Sequence, residues 1–202
     1  MFIISLTNLK FIIPEEKIMA QTPSNMLPLG TVAPDFNLVD TTTDKLVSLK
    51  EAMGKQATLI MFICNHCPFV LHVNSELVKL ANDYKNSGIG FVAISSNDVE
   101  NYPQDSPELM KKHAEQAGYS FPYLYDETQE VAKAYDATCT PDFFLFDSEL
   151  KLVYRGQLDN SRPSLEKPVT GKDIRNALDA ILAGKEVDQK QIPSMGCNIK
   201  WK

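Results

Sequence analysis

The sequence predicts an α/β protein: a three-layer α/β/α arrangement around one mixed central sheet, led by a β-hairpin and carrying an inserted helix. Three observations point there. Near-continuous apolar runs at 57–63 (ATLIMFI) and 90–95 (GFVAIS) read as strands covered on both faces. Apolar residues at three- and four-residue steps follow each run and read as amphipathic helices. Two pairs of short apolar segments flank polar turns and read as antiparallel hairpins.

The elements follow in chain order. Residues 1–20 are apolar but broken by Lys10 and ended by Pro14-Glu15-Glu16. They are too short for a spanning helix and lack the charged start and small-residue cleavage site of a secretory signal. Residues 1–26 are therefore expected to be a flexible extension, with 1–18 an upstream-start segment, and 27–202 one domain with a tail. Residues 36–39 and 45–49 flank Asp40-Thr41-Thr42-Thr43-Asp44 as the first hairpin. After the 57–63 strand, Phe69, Val73, Leu77, Leu80 and Tyr84 mark a helix face that ends near Gly88. Ser106 and Pro107 read as an N-cap and first-turn proline, and Gly118 as the stop of that helix. A short strand at 121–125 precedes a short helix opened by Asp126 and Gln129. Residues 142–146 and 150–155 alternate around Asp147-Ser148-Glu149 as the second hairpin, and 170–173 cap a final helix carrying Ile174, Ala177, Leu178 and Ile181. Residues 191–202 read as irregular. The chain has no internal repeat.

Composition narrows the function. The 202 residues carry 20 basic and 26 acidic side chains, a net charge of −6. A nucleic-acid or anionic-membrane binder would show a basic stripe, so neither partner is expected. Four cysteines are far too few for a disulfide scaffold. With no recognisable signal the expected compartment is cytoplasmic, and any disulfide there is chemical rather than structural.

Cys64-Asn65-His66-Cys67-Pro68 lies where a buried strand gives way to a long helix. Two cysteines three apart on a first helical turn bring their β-carbons within ~5–6 Å, near what a disulfide tolerates. Unpaired amides and a partial positive charge at a helix start favour a thiolate. Cys64, the first, is expected to be the more exposed and the more ionised, with Cys67 shielded one turn in and His66 adding positive charge when protonated. Cys64 would attack a target disulfide, and Cys67 would then attack Cys64 and release the reduced target. A bare C-x-x-C also occurs as inert buried cysteine or as half of a metal site. For a metal the further ligands would come from His66, His72, His113, Cys139 and Cys197, without a second paired motif. Redox chemistry is the favoured reading.

Thr140-Pro141 is the second signal, between a short helix and a strand. The sequence admits a cis or a trans bond there. A cis bond would turn the Thr140 backbone toward Cys64 with free polar groups, on which an extended peptide could pair.

These residues carry a family resemblance. Leu29-Gly30-Thr31-Val32-Ala33-Pro34-Asp35-Phe36 resembles the opening of the alkyl hydroperoxide reductase/thiol-specific antioxidant group. The C-x-x-C-P after a strand, followed by Thr140-Pro141-Asp142-Phe143-Phe144-Leu145-Phe146-Asp147, resembles the thioredoxin-like fold with its cis-proline loop. Together they resemble bacterial thioredoxin-like proteins of the peroxiredoxin and membrane-anchored thioredoxin type over residues 27–185. The resemblance implies that Cys64 attacks, Cys67 resolves, and Pro141 is a cis-proline that shapes substrate docking and keeps metals away. The candidate catalytic set is thus Cys64, Cys67, His66, Thr140 and Pro141, acting as a thiol-disulfide oxidoreductase on protein or small disulfides, with no cofactor.

The departures from the family pattern are informative. Ile63 stands where thioredoxins carry tryptophan, and Asn65-His66 where they carry Gly-Pro. A histidine before the second cysteine looks like the oxidising members and would raise the potential. Thr58 stands where thioredoxins hold a buried aspartate, leaving Asp142 as a substitute proton acceptor. In a peroxiredoxin P-x-x-x-T-x-x-C frame Cys67 falls on the peroxide-reactive position, but Cys64 replaces the threonine and Ile60 the proline. Thiol peroxidase is therefore the runner-up, and a copper or zinc carrier the third reading. Cys139 is expected near the dithiol, as a redox thiol, a ligand or a space filler. The tail around Cys197 and Trp201 is expected to dock on the body. Asn97-Asp98 read as a loop cap, and His72 and His113 as packing residues. The electron donor and the oligomeric state are not readable from the chain.

Overall fold

The computed structural model describes residues 21–202. The expectations for 1–20 lie outside the described residues. The strands are β1 (Gln21–Pro23), β2 (Asn37–Asp40), β3 (Lys45–Ser48), β4 (Ala57–Phe62), β5 (Ile89–Ser95), β6 (Tyr123–Tyr125), β7 (Cys139–Thr140), β8 (Asp142–Asp147), β9 (Leu152–Gly156) and β10 (Met195–Asn198). The helices are α1 (Leu49–Ala52), α2 (Pro68–Asp83), α3 (Pro107–Ala117), α4 (Glu130–Ala134) and α5 (Lys172–Leu182), with one 3₁₀ turn at Pro103–Asp105.

The main sheet runs β3-β2-β6-β5-β4-β8-β9. Its centre, β4-β5-β6, is parallel and reached through the α2 and α3 crossovers; the β2-β3 and β8-β9 hairpins join it antiparallel. Period-two alternation explains why β4 is apolar throughout. Leu59 and Met61 face a core shared with Val70 and Leu77 of α2 and with Ile174 and Leu178 of α5. Ile60 and Phe62 face the opposite core, with Leu49 of α1, Ala132 of α4, Tyr135 and Phe144. Helices therefore lie on both faces, as expected. In the second core Phe62 meets Phe144 edge-on, ring centroids 5.8 Å apart. Truncating either ring to Ala would cost ~3–5 kcal/mol.

Local chemistry sets several boundaries. Gly118 ends α3 in the left-handed conformation (φ 77°) that glycine adopts without strain. α1 was not anticipated; its four residues are held by a capping box between Ser48 and Glu51. α4 starts after Gln129, and Asp126 serves it from outside, its carboxylate accepting from the Ala132 amide at 2.9 Å.

Two differences bear on function. α2 begins at Pro68 with Cys67 as its N-cap, so Cys64 precedes the helix instead of sitting in its first turn. The tail expected to be irregular contains β10, the middle of a second, three-stranded sheet ordered β1-β10-β7. Residues 21–23, expected within the loose extension, are β1 of that sheet, and the Ser24 amide donates to the Ser194 carbonyl at 2.9 Å. The short stretches QTP and MGCN carry no periodic signal of their own. They are strands because each gives the other backbone partners. No helix among the described residues is long and apolar enough to cross a membrane.

Candidate active site

β4 delivers the chain to the dithiol. After Phe62 the Ile63 amide still donates to the Ile94 carbonyl at 3.0 Å, so the strand's register holds to within one residue of Cys64. The chain then bends through Asn65 and His66, both half-exposed, and enters α2 at Pro68. Proline at the first helical position makes Cys67 the cap.

The Thr140-Pro141 bond is cis, and its loop closes over both sulfurs. Cys64 Sγ lies 3.4 Å from Thr140 Oγ1, and the Cys67 thiol is 3.1 Å from the Thr140 carbonyl oxygen. The expected juxtaposition of Cys64, Cys67, Thr140 and Pro141 is therefore present. The free strand edge at Thr140 is not. β10 of the same chain pairs antiparallel with β7, with Cys197 opposite Thr140, so the chain's own tail lies where an incoming peptide was expected. Residues directly opposite on paired strands share a face. That brings Cys197 Sγ to 2.6 Å from Cys67 Sγ. Gly196 makes the approach possible: a β-carbon there would collide with the Thr140 carbonyl.

All four cysteines are free thiols and buried. Their ionisation differs from the expectation that Cys64 carries the charge. Cys67 is drawn well below the ordinary thiol value, first by hydrogen bonding from Cys197, then from Cys64, with a smaller pull from the Val70 amide in the first turn of α2. Cys64 is pushed up, first by its hydrogen bond to Cys67, then by burial, then by the charge of Asp105. Cys197 is pushed up by its bond to Cys67 and by burial. The physical reason is position. Cys67 lies between Cys64 and Cys197, whose hydrogen bonds favour its thiolate ahead of the amide at the start of α2.

Asp105 was missed by the sequence reading. The 3₁₀ turn returns it, wholly buried, beside Cys64. Its carboxylate accepts from the Asn65 amide (2.8 Å) and the Asn97 side chain (2.8 Å). His66 Nδ1 lies 2.6 Å from its Oδ2, without the alignment of a hydrogen bond. The His66 ring stacks on Tyr102 at 5.7 Å. Any positive charge on His66 thus faces Asp105 as well as the dithiol. Asp142 is the acid expected as a substitute proton acceptor. It is fully buried on the Cys139 side of the loop, and burial pushes its carboxyl up. Asn97 does more than cap a loop: its side-chain carbonyl accepts from the Lys200 amide at 2.8 Å and pins the tail.

Of the three roles open to Cys139, space filler fits best: burial, chiefly, and then the charges of Asp142 and Cys67 push its thiol up, and among the described residues the hydrogen-bond contact of its Sγ is the Pro141 carbonyl, at 3.8 Å. Among the described residues one donor set suits a metal: Cys64 Sγ, a His66 ring nitrogen and an Asp105 oxygen, all within 4.8 Å of one another. His72 and His113 take no part, bonding Ser161 and Tyr119 instead. As expected the tail docks: Ile199 is buried, while Trp201 stays partly exposed with Lys133 Nζ 5.9 Å from its ring centre.

A family model described as Redoxin matches residues 28–174. A curated protein from Geobacillus kaustophilus (strain HTA426), the thiol-disulfide oxidoreductase ResA, is 27% identical over 165 residues, spanning 79% of this chain and 82% of its own length. A solved structure of an uncharacterized conserved protein, also from Geobacillus kaustophilus, is 64% identical with a TM-score of 0.90, covering 91% of this chain and 97% of that one. The thioredoxin domain of a thiol-disulfide oxidoreductase from Bacteroides vulgatus, 24% identical with a TM-score of 0.55 over 64% of this chain and 88% of that one, shares the fold.

Proposed function

This chain belongs to the Redoxin family, and from that premise we propose that it is a thiol-disulfide oxidoreductase working through Cys64 and Cys67. One observation carries the reading: both sulfurs touch Thr140 of the cis-proline loop, one at its hydroxyl and one at its carbonyl.

Cys64 is the thiol that meets the substrate. Cys67 is enclosed by Cys64, Cys197, the Thr140 carbonyl and the start of α2, whereas Cys64 adjoins the half-exposed Asn65-His66 bend. Cys64 reacts as its thiolate, its proton passing to solvent at the Asn65-His66 bend. Cys64 Sγ then attacks one sulfur of the target disulfide. The target S–S bond breaks, a Cys64–target bond forms, and the departing sulfur takes a proton from solvent. Cys67, held as the thiolate, attacks Cys64 Sγ. The Cys64–Cys67 bond forms and the second target sulfur leaves. Two electrons have passed to the target. Asp105 and His66, beside Cys64, are positioning and proton-handling residues rather than nucleophiles. The substrate class is a disulfide in a protein or small molecule. The test is insulin reduction with dithiothreitol by wild type, Cys64→Ser and Cys67→Ser. Wild type should turn over far faster than either variant, and Cys67→Ser should accumulate mixed disulfides on Cys64. Wild-type turnover no better than Cys64→Ser ends the reading.

One observation favours thiol peroxidase as the second reading: the sulfur at the helix mouth, Cys67, is the ionised one. Fast sulfenic acid formation on Cys67 with micromolar peroxide would support it; a rate no greater than that of a free thiol would remove it.

A further inference from the structure

We propose that Cys197 is a third redox thiol, and that the disulfide made at Cys64 and Cys67 is passed to Cys67 and Cys197. The inference rests on the dithiol reading above.

Three features carry it. The sulfurs of Cys67 and Cys197 are 2.6 Å apart, outside the ~2.05 Å of a disulfide but closer than the 3.1 Å from Cys67 to the Thr140 carbonyl. The approach is built into the backbone at several points. The β10-β7 register sets Cys197 opposite Thr140, β1 pairs with the outer edge of β10, and Gly196 gives up a side chain to let the strand reach the Thr140 carbonyl. Asn97 and Gln129 then tie down the Lys200 backbone just beyond. Finally, the Phe69 amide in the first turn of α2 and Lys200 both favour the Cys197 thiolate, against the larger upward push of the Cys67 contact and burial. Cys67 and Cys197 therefore share one helix N-terminus from two directions.

The exchange is internal and needs no outside oxidant. Cys197, losing its proton, attacks Cys67 Sγ of the Cys64–Cys67 disulfide. The Cys67–Cys197 bond forms, the Cys64–Cys67 bond breaks, and Cys64 leaves as a thiolate that takes up a proton. The number of electrons held by the three sulfurs is unchanged. Cys64 is returned to the reduced state while the oxidising equivalent sits deeper, across the β10 strand. A dithiol reductant then restores Cys67 and Cys197.

The decisive variant is Cys64→Ser. It retains three of the four cysteines, and with only the Cys64/Cys67 chemistry it would form no internal disulfide. Reduced Cys64→Ser is treated with the azo oxidant diamide, which takes two electrons and two protons from a pair of thiols. Thiols are then counted by maleimide labelling after denaturation, with non-reducing gels to confirm monomer. The expected result is loss of Cys67 and Cys197 together, with Cys139 still labelled, and no loss in Cys64→Ser/Cys197→Ser. All three thiols surviving in Cys64→Ser overturns the relay. Wild type is mapped in parallel: it is mixed with a limiting amount of insulin, acid-quenched, alkylated and digested. A Cys67–Cys197 peptide alongside the Cys64–Cys67 peptide supports the relay. A Cys64–Cys67 peptide with Cys197 fully alkylated overturns the relay and leaves the dithiol reading standing. A Cys64 that enters no disulfide removes both.

Discussion

Cys139 and Cys197 are both free and buried, and they lie on neighbouring strands beside the same cis-proline, yet they sit in different chemistry. Cys197 is opposite Thr140 and shares its face, which looks onto Cys67. Cys139 is one residue earlier on β7, so the pleat turns it away, toward Asp142 and the Pro141 carbonyl. One residue of register separates a sulfur in contact with the reactive cluster from one that fills space. The contrast shows that burial alone says little about a thiol. What matters is whether a second sulfur or an amide can share its charge.

The largest test of this contrast is activity. Cys67→Ser should lower insulin reduction by ~10³-fold or more, as removal of a nucleophile does; Cys139→Ala should stay within about twofold of wild type, since its sulfur touches no reacting group. A comparable loss in Cys139→Ala would erase the distinction.

The second test concerns the acid on the Cys64 side. Asp105 raises the Cys64 thiol through its charge. Asp105→Asn should lower it, seen as a severalfold faster iodoacetamide reaction of Cys64 at pH 8. Asn cannot replace the carboxylate that accepts from both Asn65 and Asn97, so a stability loss of ~1–3 kcal/mol should accompany it. An unchanged Cys64 rate would remove Asp105 from the site.

The third is the pH dependence of stability. Cys67 is lowered in the folded state, so it stabilises above the unfolded thiol pKa, and this contribution is lost as pH falls toward its folded value. Cys64, Cys139 and Cys197 are raised, so each destabilises once the unfolded chain's thiols ionise. The thiol contribution to stability should therefore climb to about pH 8.5 and fall beyond it, each raised thiol costing ~1.4 kcal/mol per pH unit there. Denaturant midpoints from pH 6 to 10 measure it. Cys139→Ala should flatten the alkaline fall, and a fall of the same slope in that variant would place the buried cost elsewhere. The smallest effect is at Thr140→Val. Its hydroxyl holds the Cys64 thiol down, so its loss should slow Cys64 alkylation by about two- to threefold, as expected for a weak hydrogen bond.

Much of the molecule was legible in the chain. The buried strands, both hairpins, the Gly118 stop and the meeting of Cys64, Cys67, Thr140 and Pro141 all follow from local pattern and family likeness. The sequence reading puts the charge on Cys64; Pro68 holds part of the contrary signal, since a first-turn proline makes the preceding residue the cap, and the larger part, Cys197, comes from distant pairing. What was not legible depends on distant pairing. Asp105 reaches the Asn65 amide, next to Cys64, across 40 residues through a single 3₁₀ turn. The β1-β10-β7 sheet joins Gln21 to Cys197 and Cys197 to Thr140. Its strands are too short to show alternation, and their partners are far away in sequence.

Gly196 has a consequence beyond packing. At that point a single added methyl would wedge the terminal strand off the loop without altering any sulfur, acid or amide. The number of thiols in electronic conversation would drop from three to two by mechanical means alone. Redox character in this architecture can thus drift by mutation at a position with no redox chemistry of its own.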